Sequence, residues 1–200
     1  MKILKTLPTL LLVSLLATTS QAAGLFVEPL VTYEGSSKTE IDWPTPWQNS
    51  SGSVEGLGIG ARLGMHAGDI LLLAADVRYS KPQFKDSSNN IDTASNQYNY
   101  GLMVGAQTPF LGIRVFGTYI LGGELNPDED NSVDAKFTEG TGYRVGAGVH
   151  FAFVSVNLEY QDMKYNKTTL ESVGPFAGPD LDYDLTNKSY ILSVGFPFEF

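Results

Sequence analysis

The sequence predicts an all-β fold, an eight-stranded antiparallel up-and-down transmembrane β-barrel. Three observations carry the prediction. Eight segments alternate apolar and polar residues with period two. One phase of that alternation is free of charge while the other carries arginines and acids. The links between segments are short and long in turn.

In chain order, the first feature is a leader. Lys2 and Lys5 precede an apolar run from Leu10 to Ala17, and the small residues Ser20 and Ala22 flank a cleavage point, the pattern of a secretory signal peptide over residues 1–22. The run is too short for a membrane helix, which needs about 20 apolar residues, and nothing later approaches that length. The 200-residue chain has no cysteine, which removes lipid-modified cysteines, disulfides and thiolate metal sites. Residues 23–200 are expected to form one barrel domain anchored by its strands. Loss of Lys2 and Lys5 with the leader takes the formal charge from −9 to −11, so nucleic acid is not an expected partner.

The strand segments run at 24–34, 54–66, 70–80, 97–108, 111–121, 140–150, 153–163 and 188–200. Each is near the length of about 9–11 residues that a tilted membrane strand requires. The uncharged phase reads Leu25, Val27, Val31 and Tyr33, then Leu57, Ile59, Leu63 and Met65, then Leu71, Leu73, Val77 and Tyr79. It continues through Tyr98, Tyr100, Leu102 and Val104, through Leu111, Ile113, Val115, Tyr119 and Leu121, and through Tyr143, Val145 and Val149. Val154, Val156, Leu158 and Tyr160 follow, and the chain closes on Tyr190-x-Leu192-x-Val194-x-Phe196-x-Phe198-x-Phe200. The opposite phase holds Glu28, Arg62, Asp76, Arg78, Arg114, Arg144 and Glu159, interleaved with glycines. A soluble barrel would put the apolar phase inside, and four arginines do not sit unpaired in a ligand cavity. The assignment therefore inverts, with lipid outside and charge inside.

Short turns at Ala67-Gly68-Asp69, Pro109-Phe110 and Phe151-Ala152 join three pairs of segments, whereas the remaining links run 35–53, 81–96, 122–139 and 164–187. Short periplasmic turns and long external loops give that pattern and leave both termini in the periplasm. Tyr33, Tyr79, Tyr98, Tyr100, Tyr119, Tyr143, Tyr160 and Tyr190 all fall in the outward phase near the external ends of their segments. A ring that is apolar with a hydroxyl that seeks water settles at the lipid headgroups, so these eight are expected to form an aromatic girdle. Phe110, Phe151, Phe198 and Phe200 would serve the opposite rim.

The leader, the eight alternating segments and the terminal aromatic pattern together resemble the small eight-stranded bacterial outer-membrane proteins of the OmpA/OmpX type. The resemblance implies an outer-membrane location, contact with outer-membrane lipid and lipopolysaccharide, and insertion by barrel-assembly machinery that reads Phe196, Phe198 and Phe200. It implies a monomer, no cofactor and no resident metal. Pro29 and Pro197 depart from the pattern, since each removes a ladder hydrogen bond near the seam where first and last strands meet.

Eight strands enclose an interior just wide enough to be filled by side chains. A hairpin centred on Phe151-Ala152 would set Arg144 opposite Glu159, one around Gly68 would set Arg62 diagonal to Asp76, and one around Pro109 would set Arg114 opposite Gly105. Two uses stay open for these charges: a fixed structural plug, or a gate whose partners exchange to pass ions or small solutes.

The segment 122–139 is strongly acidic, and Asp128, Asp130, Ser132 and Asp134 are spaced somewhat like a calcium loop. Val133 stands where such a loop needs glycine, so a solvated acidic loop, cross-bridged to lipopolysaccharide phosphates by loosely held divalent ions, is expected instead. Trp43 and Trp47, held by Pro44 and Pro46, are candidate loop contacts for a surface partner or for headgroups. The only histidines, His66 and His150, lie beside the periplasmic turns, away from any Ser or acid constellation of the outer leaflet. The expected function is non-enzymatic, in envelope integrity or surface interaction. A narrow channel is the alternative, and a lipid-modifying enzyme is a weaker one.

Overall fold

Period-two alternation over long stretches leaves the backbone one economical solution, a sheet closed on itself so that no edge is left unpaired. The computed structural model describes residues 23–41, 49–68, 70–88, 90–109, 111–130, 133–173, 176–177, 180–181 and 183–200. The expected leader at 1–22, together with Trp43, Trp47 and Phe110, lies outside the described residues.

The strands are β1 (Ala23–Ile41), β2 (Ser50–Ala67), β3 (Leu71–Asp86), β4 (Ile91–Gln107), β5 (Ile113–Pro127), β6 (Val133–Phe151), β7 (Val154–Val173), β8 (Phe176–Ala177), β9 (Asp180–Leu181), β10 (Leu185–Gly195) and β11 (Phe198–Glu199). Each pairs antiparallel with its neighbour from β1 to β7; β7 then pairs with β10, and β10 with β1, which closes an eight-strand ring. The two-residue strands β8 and β9 lie along β7, and β11 continues the last strand against β1. Directly paired residues lead around the ring from Tyr33 through Leu192, Leu158, Ala147, Val115, Ala106, Leu71 and Ala67 to Ala23. The circuit returns to β1 ten residues from where it began, and that stagger tilts the strands by about 40° to the barrel axis.

The strands outrun the expected segments. Residues 35–41 and 50–53, 81–86 and 91–96, 122–127 and 133–139, and 164–173 are strand rather than loop. Along these extensions, the segment ends beside them and residues 185–187, the pattern reverses: Lys38, Lys81, Lys85, Lys164 and Lys188 face outward, while Ile41, Val54, Phe84, Leu125, Phe137, Tyr165 and Leu185 are buried inside. The reversed pattern does not look like a lipid-exposed strand, which is why these stretches read as polar loops. The eight tyrosines consequently sit in mid-strand and not near strand ends.

At the seam, the ladder breaks at Phe196 and Pro197 between β10 and β11, as the two prolines lead one to expect. Backbone bonds still bridge the break, from Phe196 N to Pro29 O at 2.9 Å and from Phe200 N to Leu25 O at 2.8 Å. The cylinder is therefore closed from rim to rim along this edge.

Candidate functional site: an ion-paired lumen

Inward-facing side chains fill the barrel in layers. Near the turns, Phe26, Leu72, Ala74, Met103 and Phe116 form an apolar cluster. Next comes a charged layer, with Glu28, Arg62, Asp76, Arg78, Arg114, Arg144 and Glu159 all buried. Above it lies a polar layer around Glu34, and then a second apolar cluster of Ile41, Val54, Phe84, Ile120, Leu125, Phe137, Met163, Tyr165 and Leu185.

The charged layer is cross-linked through three carboxylates. Asp76 accepts from Arg62 Nε at 2.9 Å, from Arg78 Nε at 2.9 Å and Nη2 at 3.0 Å, and from Arg144 Nη1 at 3.1 Å. Glu159 accepts from Arg62 Nη2 at 3.1 Å and Arg78 Nη2 at 2.7 Å, takes Ser193 Oγ at 2.6 Å, and lies 3.7 Å from Arg144 Nε. Glu28 is held by Arg114 Nη1 at 3.2 Å and Nη2 at 2.5 Å, by Arg62 Nη1 at 3.5 Å, and by the Ser155 hydroxyl. Neutral groups finish the guanidinium coordination, Asn157 for Arg114 at 2.6 Å, and Gln161 and Asn99 for Arg144 at 2.7 and 2.8 Å. Each carboxylate thus gains several charge-assisted bonds, the condition under which buried charge is tolerated. Every strand of the ring contributes to this layer.

The register corrects three expected pairings. The β6–β7 hairpin pairs Phe151 with Val154, one residue later than the expected centre, so Arg144 faces Gln161 and Glu159 faces Gly146. Arg144 and Glu159 become diagonal neighbours. Arg62 and Asp76, expected to be diagonal, face each other directly. Arg114 faces Gln107 instead of Gly105, because Gly105 is taken by Phe116.

Several members of the site were missed in the sequence. Phe116 lies under the Arg62 guanidinium, with Cζ 4.4 Å from the ring centroid, and 5.9 Å from that of Arg114, so the lower apolar cluster and the charged layer share one aromatic ring. Glu34, whose parity places it inward and nearer the rim, is held by Ser189 at 2.6 Å, Asn187 at 2.8 Å and Gln161 at 3.4 Å, partners that the sequence does not single out. The signal was present: Phe26, Leu72, Met103 and Phe116 share the inward parity with the charges, and counting only charged and small residues passed over them.

The outside is the inverse of the inside. Leu25, Val31, Leu57, Ile59, Leu63, Val77, Leu102, Val104, Val115, Val145, Leu158 and Leu192 are exposed along one continuous band. A cylinder with charge inside and an apolar outer wall is stable only where the surrounding solvent is hydrocarbon. The chain also matches the outer membrane protein beta-barrel domain over residues 9–198. The protein belongs to this outer-membrane barrel family.

Solved outer-membrane barrels are similar to the chain at low identity. OprG from Pseudomonas aeruginosa is 10% identical with a TM-score of 0.55, the match covering 90% of this chain and 97% of OprG. Ail from Yersinia pestis is 11% identical with a TM-score of 0.48, covering 89% of this chain and all of Ail. Neisserial surface protein A is 13% identical with a TM-score of 0.47, covering 87% of this chain and 99% of the other. No curated protein matches the chain in sequence. As a member of the family, the protein resides in the bacterial outer membrane.

In this outer-membrane barrel all eight tyrosines lie on the outer wall at one level once the stagger is followed. Tyr79 pairs with Tyr98, Tyr119 with Tyr143 and Tyr160 with Tyr190, and the Tyr160 and Tyr190 rings meet edge to face at 5.5 Å. From that level to the lower rim is eight residues along β1, from Tyr33 to Leu25, and along β6, from Tyr143 to Phe151, or about 21 Å at the tilt of the barrel, close to the height of an outer-membrane apolar band. Phe151, Phe198 and Phe200 are exposed at the lower rim. His66 lies there against Phe26 and 3.5 Å from Glu199, and His150 contacts Gln107 at 3.3 Å and the Ala152 carbonyl at 2.9 Å. In the acidic segment, Lys136 pairs with Glu124 at 2.9 Å, and no cluster of three metal-ligating side chains occurs among the described residues.

Proposed function

We propose that the protein is a non-enzymatic outer-membrane barrel whose lumen is closed and structural, and whose external strand extensions and loops support the envelope or contact other surfaces. The filled lumen carries this reading: seven buried charges bonded across the ring, capped by an apolar cluster on each side, leave the solvent-facing work to the outside. Outer-membrane lipid and lipopolysaccharide are the proposed partners of the tyrosine level, and Trp43 and Trp47 are proposed as loop contacts. The barrel is proposed to be monomeric, exported with residues 1–22 removed, and inserted by machinery that engages Phe196, Phe198 and Phe200. Placement of both histidines at the lower rim, away from the external leaflet, supports the non-enzymatic reading.

One observation favours a narrow channel as the second reading. Asp76 and Glu159 are each shared by Arg62, Arg78 and Arg144, so partners could exchange without any charge being stranded.

Cells carrying a variant with residues 42–48 replaced by a short Gly-Ser link separate the proposal from a lumen-based function. The loop variant is expected to keep the heat-modifiable migration of a folded barrel yet lose resistance to detergent or attachment to surfaces. Arg144→Ala should lower the phenotype only in proportion to the folded protein lost. Loss of phenotype in Arg144→Ala at an unchanged folded level would contradict the proposal.

A further inference from the structure

The external mouth of the barrel carries chemistry that a closed lumen does not use. There the Phe84 and Phe137 rings lie with centroids 6.0 Å apart, and with Ile91 they floor a partly open cavity of about 30 Å³. Asp86, Asp128 and Asp130 also line it, and no Lys or Arg is among the described lining residues. Two of the carboxylates are held by donors: Ser50 Oγ and the Ser88 amide donate to Asp86 at 2.9 and 3.0 Å, and the Asp92 amide donates to Asp130 at 3.3 Å, while the Asp128 backbone amide donates to Ala94 O at 2.7 Å.

An aromatic floor and a carboxylate rim both favour a cation over an anion or a neutral solute. A hydrated inorganic ion gains nothing from the apolar floor, whereas a cation on a carbon stem does. Size narrows the class further. A single water takes about 10–15 Å³ by a comparable measure, so the cavity has room for about two heavy atoms, the end of a primary amine and not the globe of a quaternary ammonium. Below the floor stand the four guanidiniums of the lumen, which stop a cation from moving deeper.

We propose that this mouth is a binding site for primary alkylammonium ions, with the aminomethyl end seated on Phe84 and Phe137, the charge met by Asp128 and Asp130, and the stem pointing out to solvent. The site does not depend on whether the lumen conducts.

The refolded full chain in zwitterionic detergent is titrated with n-butylammonium, 1,4-diaminobutane, tetramethylammonium and 1-butanol, followed by calorimetry and by the amide shifts of Ala135 and Phe137. Saturable binding of the two primary ammonium probes is expected, at least about tenfold tighter than for tetramethylammonium or butanol. The double variant Asp128→Asn/Asp130→Asn, which keeps hydrogen-bond acceptors at both positions, should weaken that binding by about tenfold or more. Glu139→Gln, on the same acidic segment but outside the cavity, should leave it unchanged. Absence of saturation, equal affinity for tetramethylammonium, or undiminished binding by the double variant would overturn the proposal.

Discussion

Arg62 shows what a single side chain does in this lumen. Its guanidinium bonds to Asp76, Glu159 and Glu28 and stacks over Phe116, so one planar fork ties its own strand to four others, a task the point charge of lysine could not perform. Asp76 is the reciprocal hub for three arginines. Asp76→Asn should therefore leave guanidinium charge uncompensated and cost about 3–5 kcal/mol, read as a lowered urea midpoint of the refolded barrel. Gly146 makes room for the same assembly, since a Cβ there would stand 2.5 Å from Phe116 Cζ. Gly146→Ala should cost about 1–3 kcal/mol, and adding Phe116→Leu should recover part of it. A double variant no more stable than the sum of the two singles would mean that this contact is not the cause. The charges themselves were legible in the sequence because strand parity alone places them inside. Parity also places Asn99, Asn157 and Ser193 inside, but not their role as partners, because nothing local distinguishes a polar group that completes an ion pair from one that meets water.

The strands explain both what the sequence revealed and what it concealed. Within the apolar band, outward Leu, Val and Ile alternate with inward charge or glycine, and the eight segments emerge directly. Above the tyrosines both faces change character, and the phase also slips: the β4–β5 register shifts between Tyr100 and Gly101, and Ser36 and Glu139 adopt positive φ. A bulge moves every later side chain to the other face, so period-two reading fails there for a geometric reason. Hairpin centres depend instead on which pair closes the turn, and with Phe151 paired to Val154 a one-residue difference turns Arg144 and Glu159 from opposite to diagonal. If the extensions are true strands with their own core, Phe137→Ala should cost about 3–5 kcal/mol and speed hydrogen exchange at 133–139 while 143–149 stays protected. The band makes a separate demand. Val104→Arg, near its middle, should destabilise the barrel in vesicles by about 2–4 kcal/mol, against about 0–1 kcal/mol for Gln83→Arg above the tyrosines.

For the molecule as a whole, closure fixes the rest. A stagger of ten residues over an eight-strand ring sets the tilt, the tilt brings eight tyrosines from different sequence positions to one height, and the narrow bore brings charges from distant strands within bonding distance. Family and location follow from this architecture, whereas function turns on whether the bore ever opens. The most direct measurement is planar-bilayer conductance of the refolded protein, with Arg144→Ala and Glu159→Ala recorded beside it and folding verified for each. A closed structural lumen predicts no reproducible unitary openings from the parent protein. Discrete openings whose size or selectivity shifts with either substitution would contradict it and make the arginine layer a gate.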